Sequence, residues 1–461
     1  MKYLIDNLNK SGTSLIAKYK FMKPDDEFRI YDSDICNNGN VNISKMNAYI
    51  KDENGNISFA DIPDDSRQFI TTDDFDSALE WCDAYVTFRG EKEFGSTSEL
   101  EKGKIIVEHA NKAKELGKYI LIANPDNSPN LQEIALNYDK CINPFINEND
   151  LKELKNKYGE YFTEGMQYDF TGTTVTLVVG TNGNSGKLTA GLDFKRRCEA
   201  NGENVALICT EESFPLLDCA NEHIYPCSSK YSLLSTSDED ELYLYHLVAK
   251  IIAEQNPDRI IICSQGGFGS YAMNMPVNIY GIEKSRRKLY DITTSFDSPS
   301  IIVCSNANTL NRCQRIYDYL KLERNIEAVY VSPKFDQFGT EIIADENGNE
   351  FYCEYRGRTD EVWQNISGFM LLNPQLNVIC NYADINDRIA NFKNSEMFIN
   401  NSAKAQIMKW INDALLFTNV NKDIYKQIAS TMNIVEDDSQ YETAMDMARI
   451  LLEELNNNNN E

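Results

Sequence analysis

Val178-Val179-Gly180-Thr181-Asn182-Gly183-Asn184-Ser185-Gly186-Lys187-Leu188-Thr189 is the stretch whose reading decides the fold. An apolar run, Thr174–Val179, leads into it, and a helical pattern, Lys187–Ala200, leads out. That is a strand, a loop and a helix in succession. Gly180, Gly183 and Gly186 let the loop take conformations closed to residues with a Cβ, so that backbone N–H groups can converge on an anion. The helix that opens near Lys187 directs the positive end of its dipole at the same spot. Lys187 would add a point charge to the β/γ phosphates of a nucleotide, and a hydroxyl at the helix start would hold Mg²⁺, with Thr189 the candidate metal ligand. The candidate nucleotide-binding residues are therefore Gly180, Thr181, Asn182, Gly183, Asn184, Ser185, Gly186, Lys187, Leu188 and Thr189.

The stretch departs from the ordinary P-loop pattern G-x-x-x-x-G-K-[ST], which asks for glycine at 181 and for Ser or Thr at 188. Here those positions hold Thr181 and Leu188. The reading rests on context instead: strand before, helix after, Gly-Lys at the turn, and Thr189 one place later.

Downstream, short apolar runs recur at Asn204–Cys209, Arg259–Cys263, Ser300–Cys304 and Ala328–Val331. They lack polar alternation, as expected for parallel strands buried on both faces. Helical segments separate them at Asp238–Glu254, Ile282–Thr294 and Leu310–Leu322. The expectation is a doubly wound α/β sheet over residues 173–335, with ligands beyond the carboxyl ends of its strands. Glu211 and Glu212 follow the second strand and, with Lys187, are the candidate catalytic residues, as organisers of a metal-bound water or as a general base. Gln265, a further candidate nucleotide-binding residue, stands after the third strand, where a P-loop hydrolase usually keeps an acid, and this weakens the case for fast hydrolysis. Asn306 and Asn308, after the fourth strand, are candidate contacts to a nucleotide base.

Residues 1–150 read as a separate Rossmann-like α/β unit with strands at Lys2–Ile5, Phe28–Tyr31, Ala84–Phe88 and Tyr119–Ala123 and a helix at Ser98–Leu116. Asp52-Glu53-Asn54-Gly55-Asn56 lies between strand-like flanks and signals a tight hairpin; the same five residues recur at 345–349. Two such copies point to two similar hairpins. After a charged helix (Leu151 to Tyr158) and the P-loop domain, residues 336–402 form a hairpin-containing α/β region with a strand at Asn377–Cys380. Residues 403–455 are helical throughout, a cap on the sheet or a partner-docking bundle, and 456–461 are a disordered end.

Net charge is −26, so the chain repels a nucleic-acid backbone. The basic clusters Lys195-Arg196-Arg197 and Lys284 to Lys288 read as solvated helix faces. No stretch approaches the roughly 20 apolar residues that span a bilayer. Nucleic acid and membrane are both excluded as partners on these grounds. None of the 12 cysteines stands in a C-x-x-C pair, and Cys209, Cys263 and Cys304 fall in apolar runs. That usage fits a reducing cytoplasm. Three scattered histidines, His109, His223 and His246, argue against a His-based zinc site.

The spacing of Gly180, Thr181, Asn182, Gly186, Lys187 and Thr189 resembles the dethiobiotin-synthetase-like branch of P-loop proteins, and a bacterial family that sets a Rossmann-like domain before such a P-loop domain. Asn182 replaces that family's aspartate, and Ser264-Gln265-Gly266-Gly267 parallels its Gly-Gln-Gly element. The resemblance covers roughly residues 80–335 and leaves 336–461 unexplained. It implies N-acyltransferases of amino acids, in which the loop would serve CoA phosphates, or partners of radical enzymes in natural-product peptide maturation. Three functions follow as expectations: an ATP- or GTP-dependent ligase or kinase-like enzyme using Mg²⁺ on a small molecule or peptide; a CoA-dependent acyltransferase; and a nucleotide-binding partner protein that engages others through its N-terminal domain or helical tail. A homodimer is open.

Overall fold

The structure is a computed structural model of the 461-residue chain. Isolated positions apart, it describes residues 1–6, 26–31, 41–61, 70–87, 97–122, 129–142, 172–181, 185–209, 223–226, 238–263, 300–313, 325–333, 340–380 and 383–402, with fragments at 152–157. The expected helices Ile282–Thr294, Leu310–Leu322 (beyond its first turn) and 403–455 lie outside the described residues, as do the basic cluster at 284–288 and the end at 456–461.

The elements form three sheets. In the first, β1 (Lys2–Asp6), β2 (Glu27–Tyr31), β5 (Ile70–Thr71), β6 (Ala84–Thr87), β7 (Tyr119–Ile122) and β8 (Cys141–Ile142) are all parallel. They stand in the order β5-β2-β1-β6-β7-β8. Counted within this sheet, that is the 3-2-1-4-5-6 order of the Rossmann fold. Helices α1 (Phe75–Trp81), α2 (Thr97–Glu115) and α3 (Pro129–Asn137) cover one face around Leu4, Leu79, Tyr85, Ile106 and Leu131.

The second sheet is also parallel, with strands β9 (Thr174–Gly180), β10 (Val205–Cys209), β11 (Ile224–Pro226), β12 (Arg259–Cys263), β13 (Ser300–Asn306), β14 (Asn325–Ser332) and β17 (Val378–Cys380). Its order is β11-β10-β12-β9-β13-β14-β17. β9 sits at the centre, with apolar side chains buried on both faces, which is why these strands read as unbroken Val and Ile runs. β17 pairs with β14, so this sheet runs past the boundary expected at residue 335 and takes in α6 (Thr359–Leu372) and α7 (Ala383–Lys393), which pack on the same core as α5 (Asp238–Gln255). Toward the amino end, Arg259 donates to Glu203 at 2.8 Å and to Thr176 at 2.7 Å, and Ser300 donates to Glu327 at 2.6 Å, tying four central strands together on the side away from the loop.

Helix α4 (Lys187–Ala200) lies between these two sheets. Its Ala190, Leu192, Phe194 and Cys198 share one apolar cluster with Tyr3, Ile5, Phe28 and Val86 of the first sheet and Val178, Leu207 and Ile302 of the second. The basic cluster 195–197 is neutralised along this helix: Lys195 bonds Glu199, and Arg197 bonds Asp193 at 2.7 Å. Arg196 and Arg197 are exposed as expected of a solvated face, but Lys195 is buried, its charge held by Glu199 one turn on.

The third sheet joins the two repeated turns. β3 (Val41–Lys51) and β4 (Ile57–Asp61) form one hairpin, β15 (Thr340–Ala344) and β16 (Glu350–Tyr355) the other, and β16 runs parallel to β3 in the order β15-β16-β3-β4. Asp52 shows what the motif does: its carboxylate accepts from the amides of Asn54 and Asn56 at 2.8 Å and from the Asn56 side chain at 2.7 Å. This Asx turn closes the hairpin. The residues read as belonging to an N-terminal unit thus include a hairpin that pairs with one from 300 residues away.

Candidate nucleotide-binding site

The loop begins at the carboxyl end of β9, flanked by β12 and β13. The chain passes from β9 to β10 and back to β12 on one side, then crosses to β13 on the other. This is the point at which strand order reverses and where ligands of doubly wound sheets sit.

Thr181 is fully buried. Its N–H donates to the Cys304 carbonyl at 2.9 Å, and its hydroxyl lies 3.3 Å from Thr309 Oγ1 and 3.4 Å from Ser305 Oγ. Both groups are turned to β13, so Thr181 anchors the loop to the neighbouring strand. Asn182, Gly183 and Asn184 lie outside the described residues. The chain is described again at Ser185, which is buried, and at Gly186.

Gly186 has φ +85° and ψ 19°, the left-handed conformation that a Cβ disfavours. It is the N-cap of α4 and supplies no capping side chain; the first intrahelical bond is Ala190 N–H to Gly186 O at 2.9 Å. The N-cap residue thus leaves the first-turn N–H groups of α4 without a side-chain cap of its own, and the helix presents its positive end beyond β9. Lys187 opens the helix and is 9% exposed. Its charge is felt at β13: burial drives the Cys304 thiol far up, and the Lys187 ammonium is the largest influence pulling it back.

Leu188 packs against the apolar cluster between the two sheets. A side chain spent on that core replaces the hydroxyl that the ordinary pattern places there. Thr189 is half-buried on the same turn.

At the end of β13, Asn306 is 1% exposed and its Oδ1 has no hydrogen-bond partner among the described residues. Its backbone carbonyl accepts from Ser305 Oγ at 3.0 Å and Thr309 Oγ1 at 3.1 Å, fixing the turn. A buried amide oxygen without a partner costs roughly 1–3 kcal/mol and suits a position that meets a donor from a ligand. Asn308 is exposed at the same turn. Glu211, Glu212 and Gln265 lie outside the described residues, so the structure brings together Gly180, Thr181, Ser185, Gly186, Lys187, Leu188, Thr189, Asn306 and Asn308 alone.

Sequence reasoning missed two positions here. Thr309 joins the hydroxyl cluster with Thr181 and Ser305, a contact between residues 128 apart. Gly191 lets α4 approach the sheet: a Cβ there would lie 2.6 Å from Cys263 Sγ and 3.3 Å from Leu207 Cδ1. A glycine one turn into a predicted helix was the available signal.

No helix among the described residues is long and apolar enough to cross a membrane. No protein-family model matches the chain, and no curated protein matches it either. Among solved structures, a DUF1611 family protein from Anabaena variabilis is similar at 11% identity, over 72% of this chain and 86% of that one, with a TM-score of 0.43. The cell division protein FtsY from Thermotoga maritima is similar at 15% identity, over 56% and 78%, with a TM-score of 0.26. Signal recognition particle 54 kDa protein from Aeropyrum pernix, in complex with GDP, is similar at 14%, over 71% and 74%, with a TM-score of 0.28. Scores this low carry no functional argument, and the reading of the site rests on its own residues.

Proposed function

We propose that the chain is a nucleotide-binding protein in which residues 180–189 hold the phosphates of ATP or GTP. The observation that carries this reading is the helix α4 N-terminus, with left-handed Gly186 as its N-cap and Lys187 as its first residue, at the switch point of a parallel sheet. Lys187 and the first-turn amides of α4 would neutralise the phosphate oxygens, and Asn306 would accept a hydrogen bond from the base or ribose. Thr189 would supply the Mg²⁺ ligand that Leu188 cannot. On this reading the Rossmann-like unit of residues 1–150 and the helical tail 403–455 present a substrate or a protein partner to the P-loop unit. The reaction is that of an ATP-dependent ligase or kinase-like enzyme acting on a small carboxylate, an amine or a peptide, with Glu211 or Glu212 as base.

Leu188 favours a second reading, in which the loop holds the phosphates of CoA for acyl transfer and no phosphoryl group moves. The apolar contact of Leu188 and the Gln265 that follows β12 both fit a loop that binds phosphate without hydrolysing it. Calorimetric titration with ATP, GTP and acetyl-CoA, each with and without Mg²⁺, separates the two. Mg²⁺-dependent binding of ATP or GTP supports the first, and metal-independent binding of acetyl-CoA alone supports the second.

A further inference from the structure

The six-stranded sheet has a switch point of its own. The chain leaves β1 for β2 and β5 on one side and returns to β6 on the other. At that edge the register sets Tyr31, Asp6 and Thr87 side by side across β2, β1 and β6. Asp6 is fully buried, and its Oδ2 accepts hydrogen bonds from the Tyr85 hydroxyl and from His109 Nδ1, each at 2.7 Å. Burial first, and the Asp6 charge second, hold Tyr85 well above the ordinary phenol range, so its hydroxyl stays a donor. A carboxylate only accepts, so Nδ1 is the donor, and in the neutral imidazole this puts the lone pair on Nε2.

His109 is 8% exposed, and its ring stacks on Phe75 with centroids 3.5 Å apart. Among the described residues nothing hydrogen-bonds its Nε2. The ring borders a cleft of about 500 Å³, lined with it by Tyr31, Asp74, Phe75, Asp76 and Lys112. Lys112 pairs with Asp76 at 2.8 Å, and Asp74 caps α1 through Ser77 N–H at 3.0 Å. Among the described lining residues two carboxylates stand against one ammonium, which disfavours an anion.

We infer that Asp6 and His109 form a proton-accepting pair in a second ligand site, which takes a small neutral or cationic molecule presenting an O–H or N–H group to Nε2. The buried Asp6 carboxylate orients an imidazole that borders the cleft, the arrangement by which a carboxylate partner fixes a working histidine. On transfer the ligand's X–H bond breaks, its electron pair stays on X, and the proton binds Nε2; the Asp6 carboxylate balances the imidazolium that results. The site uses a different sheet from the α4 loop and stands whether or not that loop binds a nucleotide.

Nitrogen NMR of the full chain labelled at histidine tests this, with His109 assigned by the signal lost in His109→Gln. In its neutral form His109 is expected in the Nδ1–H tautomer. Its Nε2 resonance is expected to shift with ethylammonium or ethanol and not with acetate; whichever of the first two dominates identifies N–H or O–H. Asp6→Asn is expected to weaken that response by at least about tenfold through loss of the tautomer. Tyr85→Phe, which keeps the carboxylate, retains the tautomer and most of the response, and guards against a folding defect at Asp6. An Nε2–H tautomer in the parent chain, no shift with either donor, or an equal shift with acetate overturns the inference.

Discussion

At the scale of single residues, Gly186 and Lys187 open the proposed nucleotide site, and their placement was legible because their chemistry is intrinsic to the residue type. Glycine permits φ +85°, and lysine brings a charge wherever the turn places it. Gly186→Ala is expected to cost about 1–2 kcal/mol from backbone strain alone, because a Cβ there meets nothing nearer than Ser332 Cβ at 3.9 Å. Urea unfolding measures it, and an unchanged midpoint contradicts the conformation. Thr189→Val is expected to remove the Mg²⁺ dependence of nucleotide affinity while leaving metal-free binding within about twofold; equal Mg²⁺ dependence in the variant places the metal elsewhere. Leu188 and Thr181 were not legible in the same way. A motif written as residue types assigns position 188 a hydroxyl and position 181 a ligand-facing role, whereas tertiary packing draws Leu188 into the core and β13 takes both polar groups of Thr181.

At the scale of elements, α4 was expected at Lys187–Ala200 and is found there, and β9, β10, β12 and β13 fell within two residues of expectation, whereas β14 starts three residues early and β3 extends seven residues before its expected flank. Apolar runs buried on both faces, broken by glycine and charge, leave little choice of boundary. The strands β5, β8 and β11 escaped because two or three residues carry no period to detect. The helix α4 also sets a packing test. Gly191→Ala drives a methyl to 2.6 Å from Cys263 Sγ, and overpacking of this kind costs typically about 1–3 kcal/mol. Thermal unfolding is expected to show the loss, whereas Gly368→Ala in α6, where a Cβ meets nothing within 4 Å, is expected to be neutral or slightly stabilising. Equal effects of the two changes contradict the close approach of α4 to the sheet.

At the scale of the whole molecule, the repeated Asp-Glu-Asn-Gly-Asn gave both hairpins and concealed what they build. Turn chemistry is local, but the pairing of β16 with β3 joins segments some 300 residues apart, and no local pattern reports it. That shared sheet ties the segment between β2 and β5 to the segment between β14 and β17. Tyr49, 2% exposed, meets Tyr355 across the join with ring centroids 4.9 Å apart. Tyr49→Ala is expected to cost about 3–5 kcal/mol and to lower the unfolding transition as a whole; a protein that unfolds at the parent temperature contradicts the join.

The central claim, that the carboxyl end of β9 holds the phosphates of a nucleotide, is tested most directly by titrating the full chain and its Lys187→Ala variant with ATP and GTP in the presence of Mg²⁺, following heat of binding and unfolding temperature together. The account predicts saturable binding of at least one nucleotide by the parent chain, stabilisation of about 2.7 kcal/mol at a hundredfold excess over Kd, and affinity reduced at least tenfold in the variant. Absence of binding and of stabilisation in the parent chain, or identical affinity in Lys187→Ala, contradicts it.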